Sequence, residues 1–248
     1  NLILMGDQMQ LGQPTQGIHP EETGSSSLDY LLGDLATIPK DIGMLLPKTY
    51  RLHPDICEFV STRVYEGRLS HDSLTEERTL NFKPSSSISK SSGIFYVPVD
   101  HFGNEQSSGE EIEVIKDLVK ELMRAKKTEV GGLKSPVSPE DLLIVAPYNH
   151  QVRNLQESLG KRFNIGTVDK FQGREAPVVI VSMTSSDIES APRGAEFLLD
   201  RNRLNVALTR AQSLSIIVGS PNLNFPDARS VKEMRLVNFY LDLVNYSY

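Results

Sequence analysis

The sequence has no tryptophan, one cysteine (Cys57) and no apolar run approaching the ~20 residues that span a bilayer. A lone thiol excludes any internal disulfide and fits a reducing compartment, so the expected location is cytoplasmic, or nuclear in a eukaryote, with no membrane partner. The five histidines (His19, His53, His71, His101, His150) lie far apart without zinc-like spacing, and no metal site is read within the chain. No secretory signal peptide is expected from the sequence as read. The chain opens in the strand-like run NLILMGD with no initiator Met and reads as a piece of something longer. It also lacks a G-x-x-x-x-G-K-[ST] loop and an Asp-Glu-Ala run, the usual means of cradling phosphates and holding their magnesium.

Positive charge is scarce overall, with a net charge of −6, which argues against a wholly basic nucleic-acid coat protein. It is distributed unevenly. Between Arg153 and Arg174 five bases face two acids, and Arg201 to Gln212 carries three arginines and no acid. A focused basic surface on an acidic protein can still bind a polyanion.

Arginine is concentrated in the most strongly patterned stretch, DRNRLNVALTRAQSLSIIVGS (200–220). Asp200 or Asn202 suits a helix N-cap, and Leu204, Ala207, Leu208 and Ala211 fall at i, i+3, i+4 and i+7, one apolar stripe. Arg203 and Arg210, seven residues apart, project on one side of that helix beside the stripe. The run LSIIVG then suits a strand buried on both faces. Such a helix can hold guanidinium groups against phosphate. The bland alternative is a solvated basic face.

Earlier in the chain, Leu2–Met5 reads as a strand followed by GDQMQL, which is a natural turn or, alternatively, places Gln10 at the carboxyl edge of a parallel sheet. Residues 13–24 read as loop and 25–32 as a capped helix. Pro54 suits a helix start, with Ile56, Phe59, Val60 and Val64 on its apolar face. Tyr50-Arg51, just before it, could stack on a base and meet a phosphate, or could equally be a packed ring and a surface ion pair. Residues 70–92 read as a polar, exposed connection, 93–99 as a strand, 109–126 as a helix, and 128–139 as a mobile loop. Buried strands are expected at 141–146, 165–168 and 178–183, a helix at 148–159, an exposed loop at 186–196 and a closing helix at 231–244. Alternating strands and helices imply right-handed crossovers and a mostly parallel α/β sheet with helices on both faces.

Four motifs stand in order: GDQMQL (6–11), TYRLHP (49–54), TVDKFQGRE (167–175) and NRLNVALTRAQ (202–212). Together they resemble motifs III to VI of superfamily 1 helicases, in the branch containing the nonsense-mediated-decay helicase and the replication nuclease-helicase. FVSTRVYEGRL (59–69) and VAPYNHQV (145–152) are similar to the same branch. Thr49 and Leu52 depart from the usual Gln and Met.

The resemblance implies a RecA-like fold of the P-loop NTPase type. Residues 1–46 would be the trailing segment of a first RecA-like domain and 47–248 the second domain. It makes Gln10 the phosphate-sensing glutamine, Tyr50 the adenine-stacking ring, and Arg51 and Arg210 the arginines that reach the γ-phosphate. Gly173 and Glu175 would lie by the nucleotide, with Glu175 accepting from the ribose hydroxyls. Thr167, Lys170, Tyr148 and Asn149 would face a single strand of DNA or RNA. The cofactors implied are ATP and Mg2+, the magnesium ligands and phosphate loop belonging to the missing first domain, which is also the implied partner. The activity implied is that of an ATP-dependent translocating motor, with this piece alone inactive. The rival from another class is a non-catalytic RecA-like module that binds nucleic acid or protein. Because Arg210 lies outside the apolar stripe, its replacement by Lys is expected to lower turnover at least ~10-fold and barely to move the melting temperature.

Overall fold

The structure, a computed structural model, describes residues 3–12, 20–21, 23–225 and 228–248. Its strands are β1 (Lys48–Thr49), β2 (Ser70–His71), β3 (Thr79–Asn81), β4 (Gly93–Pro98), β5 (Lys126–Thr128), β6 (Lys134–Pro136), β7 (Leu142–Val145), β8 (Asn164–Gly166), β9 (Ala176–Ser182) and β10 (Ala211–Gly219). Its helices are α1 (Ser27–Leu32), α2 (Pro54–Val64), α3 (Gly109–Leu122), α4 (Asn149–Leu159), α5 (Gly194–Leu198), α6 (Arg201–Thr209) and α7 (Val231–Tyr246).

Five strands form one sheet in the order β4-β10-β9-β7-β8, and every pairing is parallel. Strands in such a sheet are covered on both sides, which is why LLIV in β7 and VVIV in β9 are continuous apolar runs. Alternate residues serve opposite faces. Leu143, Val145, Val179, Val181 and Ile217 pack with Phe59 of α2, Leu204 and Leu208 of α6, and Tyr240 and Leu243 of α7. Leu142, Ile144, Val178, Ile180 and Ile216 pack with Ile115 and Leu122 of α3 and Leu155 of α4. Each such fully buried side chain contributes roughly 1.5–3 kcal/mol of transfer free energy. The helices are stopped and started locally. The Ser108 hydroxyl accepts from the Glu111 amide at 3.1 Å and Asp200 from the Arg203 amide at 2.7 Å, while Pro54 opens α2.

The topology fixes two opposed edges. From β7 the chain crosses through α4 on one face to β8; from β9 it crosses through α6 on the other face to β10, in the opposite direction along the sheet. Reversing direction and face together keeps one crossover hand. Tyr148-Asn149 and Thr167 leave the carboxyl ends of β7 and β8, whereas Glu175 and Arg210 immediately precede the amino ends of β9 and β10.

Several expectations need correction. Residues 3–5 are not a strand: Ile3 and Met5 are 82% and 93% exposed, with no pairing strand beside them among the described residues. A strand needs a neighbour to satisfy its backbone, and an apolar run alone supplies none. Residues 13–19 and 22, read as loop, lie outside the described residues. The 70–92 connection is not wholly exposed. It contributes β2 and β3 and buries Leu80 and Ile88. The 128–139 loop belongs largely to an antiparallel hairpin, β5–β6, which β3 extends to a three-stranded sheet. Residues 186–196 bury Ser186, Ala191 and Ala195 and lead into α5. The strand expected at 165–168 ends at Gly166, because Val168–Phe171 turns into one 3₁₀ turn.

Candidate functional site

At the amino edge, Ala176 and Ala211 are register partners, and the Ala176 amide donates to the Arg210 carbonyl at 3.0 Å. That pairing brings together Glu175 and Arg210, which are 35 residues apart in the sequence. Arg51 completes the group from the loop before α2: its Nε donates to Glu175 and its Nη1 to the Thr209 carbonyl at 3.2 Å. Thr49, the departure from the usual Gln, accepts from the Arg51 amide at 3.2 Å. Gln212 holds the other Glu175 oxygen at 2.8 Å, and Arg78 donates to the Arg51 carbonyl. Burial alone would raise the Glu175 carboxyl. Hydrogen bonds from Arg51 and Gln212, with the Arg51 and Arg78 charges, nevertheless hold it below the ordinary range.

Arg210 is 4% exposed, not a solvated charge. Its Nε reaches the Val206 carbonyl at 3.3 Å and Nη1 the Arg174 carbonyl at 3.2 Å. Burial, then the Arg51 charge, lowers its pKa. Arg210 therefore ties α6 to the 167–175 segment, and its burial removes the ground for expecting that melting would barely move when it is replaced.

Gln10 donates to Asp7 Oδ2 at 2.8 Å, and the same oxygen accepts from the Tyr65 hydroxyl at 2.8 Å. Asn205 of α6 donates to the Tyr65 oxygen at 3.0 Å and to the Met9 carbonyl at 2.8 Å, while Asn202 donates to the Gln8 carbonyl at 3.0 Å. Burial and then the Asp7 charge push the Tyr65 phenol well up, so it stays a neutral donor. The GDQMQL segment is thus fastened to α6. A cleft of about 1630 Å³ is lined by Gln10, Thr49, Arg51, Tyr65 and Arg210, among others. Glu175 joins it through Arg51, whereas Tyr50 and Gly173 lie outside the lining. Tyr50 is 68% exposed, with the Lys48 ammonium 5.7 Å from its ring centroid. Gly173 has φ 80°, a left-handed conformation that favours glycine at the turn into Glu175.

At the carboxyl edge, the Thr167 hydroxyl makes no hydrogen bond among the described residues. Lys170 folds back to donate to the Ile165 carbonyl at 3.0 Å, over Gly166, where a Cβ would lie 2.5 Å from the Lys170 Cδ. Asn149 is exposed at the start of α4, but Tyr148 is buried, its ring 5.5 Å from that of Phe197. Arg193 and Arg203 lie over the Phe197 ring at 3.8 Å and 4.7 Å, and Arg203 pairs with Asp169 at 3.2 Å. The structure thus separates the candidate residues into two groups, on opposite ends of the sheet.

Sequence reasoning overlooked Tyr65, Arg78, Asn205, Gln212, Arg193 and Phe197. Asn205 and Gln212 stand inside NRLNVALTRAQ, where only the arginines were weighed, and Tyr65 stands inside FVSTRVYEGRL. Arg78, Arg193 and Phe197 come from stretches without a periodic signal. Among the described residues no cluster of three His, Cys, Asp or Glu could hold a metal, and no helix is long and apolar enough to cross a membrane.

Comparison with known proteins identifies the family. Residues 29–222 match the family described as AAA domain. The chain is 32% identical over 232 residues to "ATP-dependent helicase upf1" of Schizosaccharomyces pombe, covering 90% of the chain and 24% of that protein. It is 32% identical over 252 residues to "Regulator of nonsense transcripts 1 homolog" of Drosophila melanogaster, covering 97% and 20%. It is 31% identical over 235 residues to "DNA polymerase alpha-associated DNA helicase A" of Saccharomyces cerevisiae, covering 88% and 34%. The chain therefore spans a fifth to a third of these relatives. With a parallel RecA-like sheet and these relatives, the chain belongs to the AAA-domain family and is a superfamily 1 helicase domain of the branch that includes the nonsense-transcript regulators.

Proposed function

We propose that this chain supplies the second half of an ATP-dependent motor on single-stranded DNA or RNA, residues 47–248 being the second RecA-like domain and 1–46 the trailing part of the first. The observation that carries this reading is the convergence of Arg51, Arg210 and Gln10, from three distant segments, on one cleft. The residues suit a nucleoside triphosphate. Arg210 spends Nε and Nη1 on carbonyls, and its Nη2 makes no hydrogen bond among the described residues. That leaves a fixed, planar donor at the cleft for a terminal phosphate. Arg51 is held by Glu175 and Thr209, an ion pair partly open to solvent that a phosphate can displace at small cost. Glu175, released, offers its carboxylate to ribose hydroxyls, and the exposed Tyr50 ring offers a face to a base.

ATP would contribute the γ-phosphoryl group whose developing charge the two arginines stabilise, an effect worth roughly 10³–10⁵ in arginine-finger enzymes. Magnesium ligands and the phosphate cradle would come from the partner half of the first domain. The exposed Met5, Met44 and Leu46 border the cleft and give that half an apolar surface to meet. Closing the cleft on nucleotide and reopening it would alternate the grip on a strand at the opposite edge, where Thr167, Lys170 and Asn149 stand. The cytoplasm or nucleus is the compartment proposed for this work. The rival, a RecA-like module without turnover, gives no role to a buried arginine with one unspent nitrogen.

The test compares this 248-residue chain with the full-length protein. The chain alone should show no significant magnesium-dependent ATPase, and the full-length protein should show ATPase stimulated by single strands. Vigorous hydrolysis by the isolated chain, with contaminants excluded, would overturn the half-site reading. A full-length protein that binds strands without turnover would establish the module instead.

A further inference from the structure

The loop leading into α5 and the first turn of α6 build a feature to which the reading of the four motifs gives no role, although Arg203 and Asp169 stand inside two of them. Phe197 has two guanidinium groups over its ring, Arg193 at 3.8 Å and Arg203 at 4.7 Å from the centroid. Cations stack on the negative face of a ring, which fixes them in place at little entropic cost. Two like charges on one ring repel, and here the only carboxylate within reach of either is Asp169, 3.2 Å from Arg203, among the described residues. Arg193 has no acidic partner among the described residues. A pair of preorganised, under-neutralised guanidiniums is a site awaiting an anion.

Its position names the anion. Asp169 lies in the turn between Thr167 and Lys170, and Phe197 packs on Tyr148 at 5.5 Å, next to the exposed Asn149. The stack therefore continues the carboxyl-edge surface. We infer that Arg193 and Arg203, held on Phe197, bind successive backbone phosphates of the single strand and extend its track from Thr167–Lys170 onto α5 and α6. The Arg203–Asp169 pair is exposed, so exchanging the carboxylate for a phosphate costs little. The ligand is the phosphodiester backbone, so the contact is blind to base sequence and common to DNA and RNA.

This inference rests on the strand-binding part of the proposed function, and the experiment separates the two. Affinity of the full-length protein for a labelled single-stranded oligonucleotide is measured against salt for wild type, Arg193→Gln, Arg203→Gln and the double variant, without nucleotide. Each lost phosphate contact should lower the slope of log K against log salt by about 0.7, and the double variant by about twice that, with the largest affinity loss at low salt. Arg193→Lys keeps the charge and should keep the slope. The melting temperature of Arg193→Gln should match wild type, since that side chain is exposed, whereas Arg203→Gln also loses the Asp169 pair and is compared with Asp169→Asn to separate that tie from a phosphate contact. Wild-type slopes in the Gln variants would overturn the inference while leaving the motor intact, and would point to an acidic protein partner for the stack. A wild-type protein that binds no strand would overturn both readings together.

Discussion

Replacing Arg210 by Lys in the full-length protein separates what the guanidinium does for the fold from what it does for the phosphate. The buried group donates to two carbonyls, those of Val206 and Arg174, and leaves Nη2 for the cleft. An ammonium is a single point at the end of a flexible stem and cannot reach three such positions at once. A hydrogen bond from a charged donor is worth about 1.5–3 kcal/mol; because Arg174 is exposed to water and the Val206 carbonyl also accepts from the Thr209 hydroxyl, a Lys that keeps one of the two carbonyls loses somewhat less, about 1–2 kcal/mol. At roughly 2–4 °C per kcal/mol for a domain of this size, melting should fall by about 2–8 °C. Turnover with saturating single strands should fall at least ~10-fold, or ~1.4 kcal/mol of transition-state stabilisation, because the planar second donor is gone. Nucleotide affinity should change much less. Steady-state ATPase beside a thermal melt checks all three. Wild-type turnover with a lowered melt would make Arg210 a purely structural tie and refute its role at the phosphate. An unmoved melt would refute the reasoning from its burial.

Tyr65→Phe keeps the ring but removes the hydroxyl that joins Asp7 to Asn205; melting should drop by about 2–4 °C, the worth of about one hydrogen bond. Its strand-stimulated ATPase should fall while ATP affinity holds, and unchanged stimulation would show that the fastening of Gly6–Leu11 to α6 is not used. Glu175→Gln should lose discrimination between ATP and its 2′,3′-dideoxy analogue; equal discrimination would take Glu175 off the ribose. Because the folded Glu175 pKa is depressed, its stabilisation is complete above the ordinary value of 4.5 and is lost as pH falls through the folded value. The melting difference between wild type and Glu175→Gln should therefore shrink only below about that pH, and a difference constant down to pH 3 would contradict the ion pair. Thr167→Ala with Lys170→Ala should weaken single-strand binding with nucleotide affinity nearly unchanged and a slope lowered by at most about one unit. A loss confined to ATP binding would place that motif on the other edge.

The parallel sheet was legible because its strands are continuous apolar runs and its helices carry clean 3.6-residue stripes, as in Ile112, Ile115, Leu118, Val119 and Leu122. The three-stranded sheet was not, because β3, β5 and β6 are three residues each and rich in Lys, Thr and Ser, and β3 finds its partner β5 only far along the chain. Local periodicity contains no trace of such pairing. The site divided in the same way. The family resemblance pointed to Arg51, Glu175 and Arg210, but burial decides what an arginine does, and the sequence could not show that Arg210 has two carbonyls to satisfy. Tyr148 looked like a surface ring at a turn and is instead packed on Phe197, a residue 49 positions away that no short-range pattern connects to it.

The two edges of the sheet would be independent sites if nothing rigid joined them, and α6 is what joins them. The helix runs antiparallel to β9 and β10, so its first turn stands at the carboxyl edge and its last residue at the amino edge. The segment 167–175 descends beside it from β8 to β9. Arg203 meets that segment near its top, at Asp169, and Arg210 meets it near its bottom, at the Arg174 carbonyl. Seven residues at 1.5 Å each place these two contacts about 10 Å apart on one side of the helix, which is why the spacing of Arg203 and Arg210 is two turns. From its other sides α6 reaches the Gly6–Leu11 segment through Asn202 and Asn205 and packs Leu204 and Leu208 into the core. A displacement of Arg210 by a phosphate cannot be absorbed within a helix so held; it must move the helix as a body or not occur. Any such movement carries Arg203, and with it the Phe197 stack, at the far edge. On the proposed function, α6 would couple the nucleotide edge to the strand edge, and Asn205→Ala, which loosens the helix from Met9 and Tyr65 without touching either arginine, should lower the factor by which a strand stimulates ATPase more than it lowers unstimulated turnover. Equal loss in both would show that α6 only supports the site and transmits nothing.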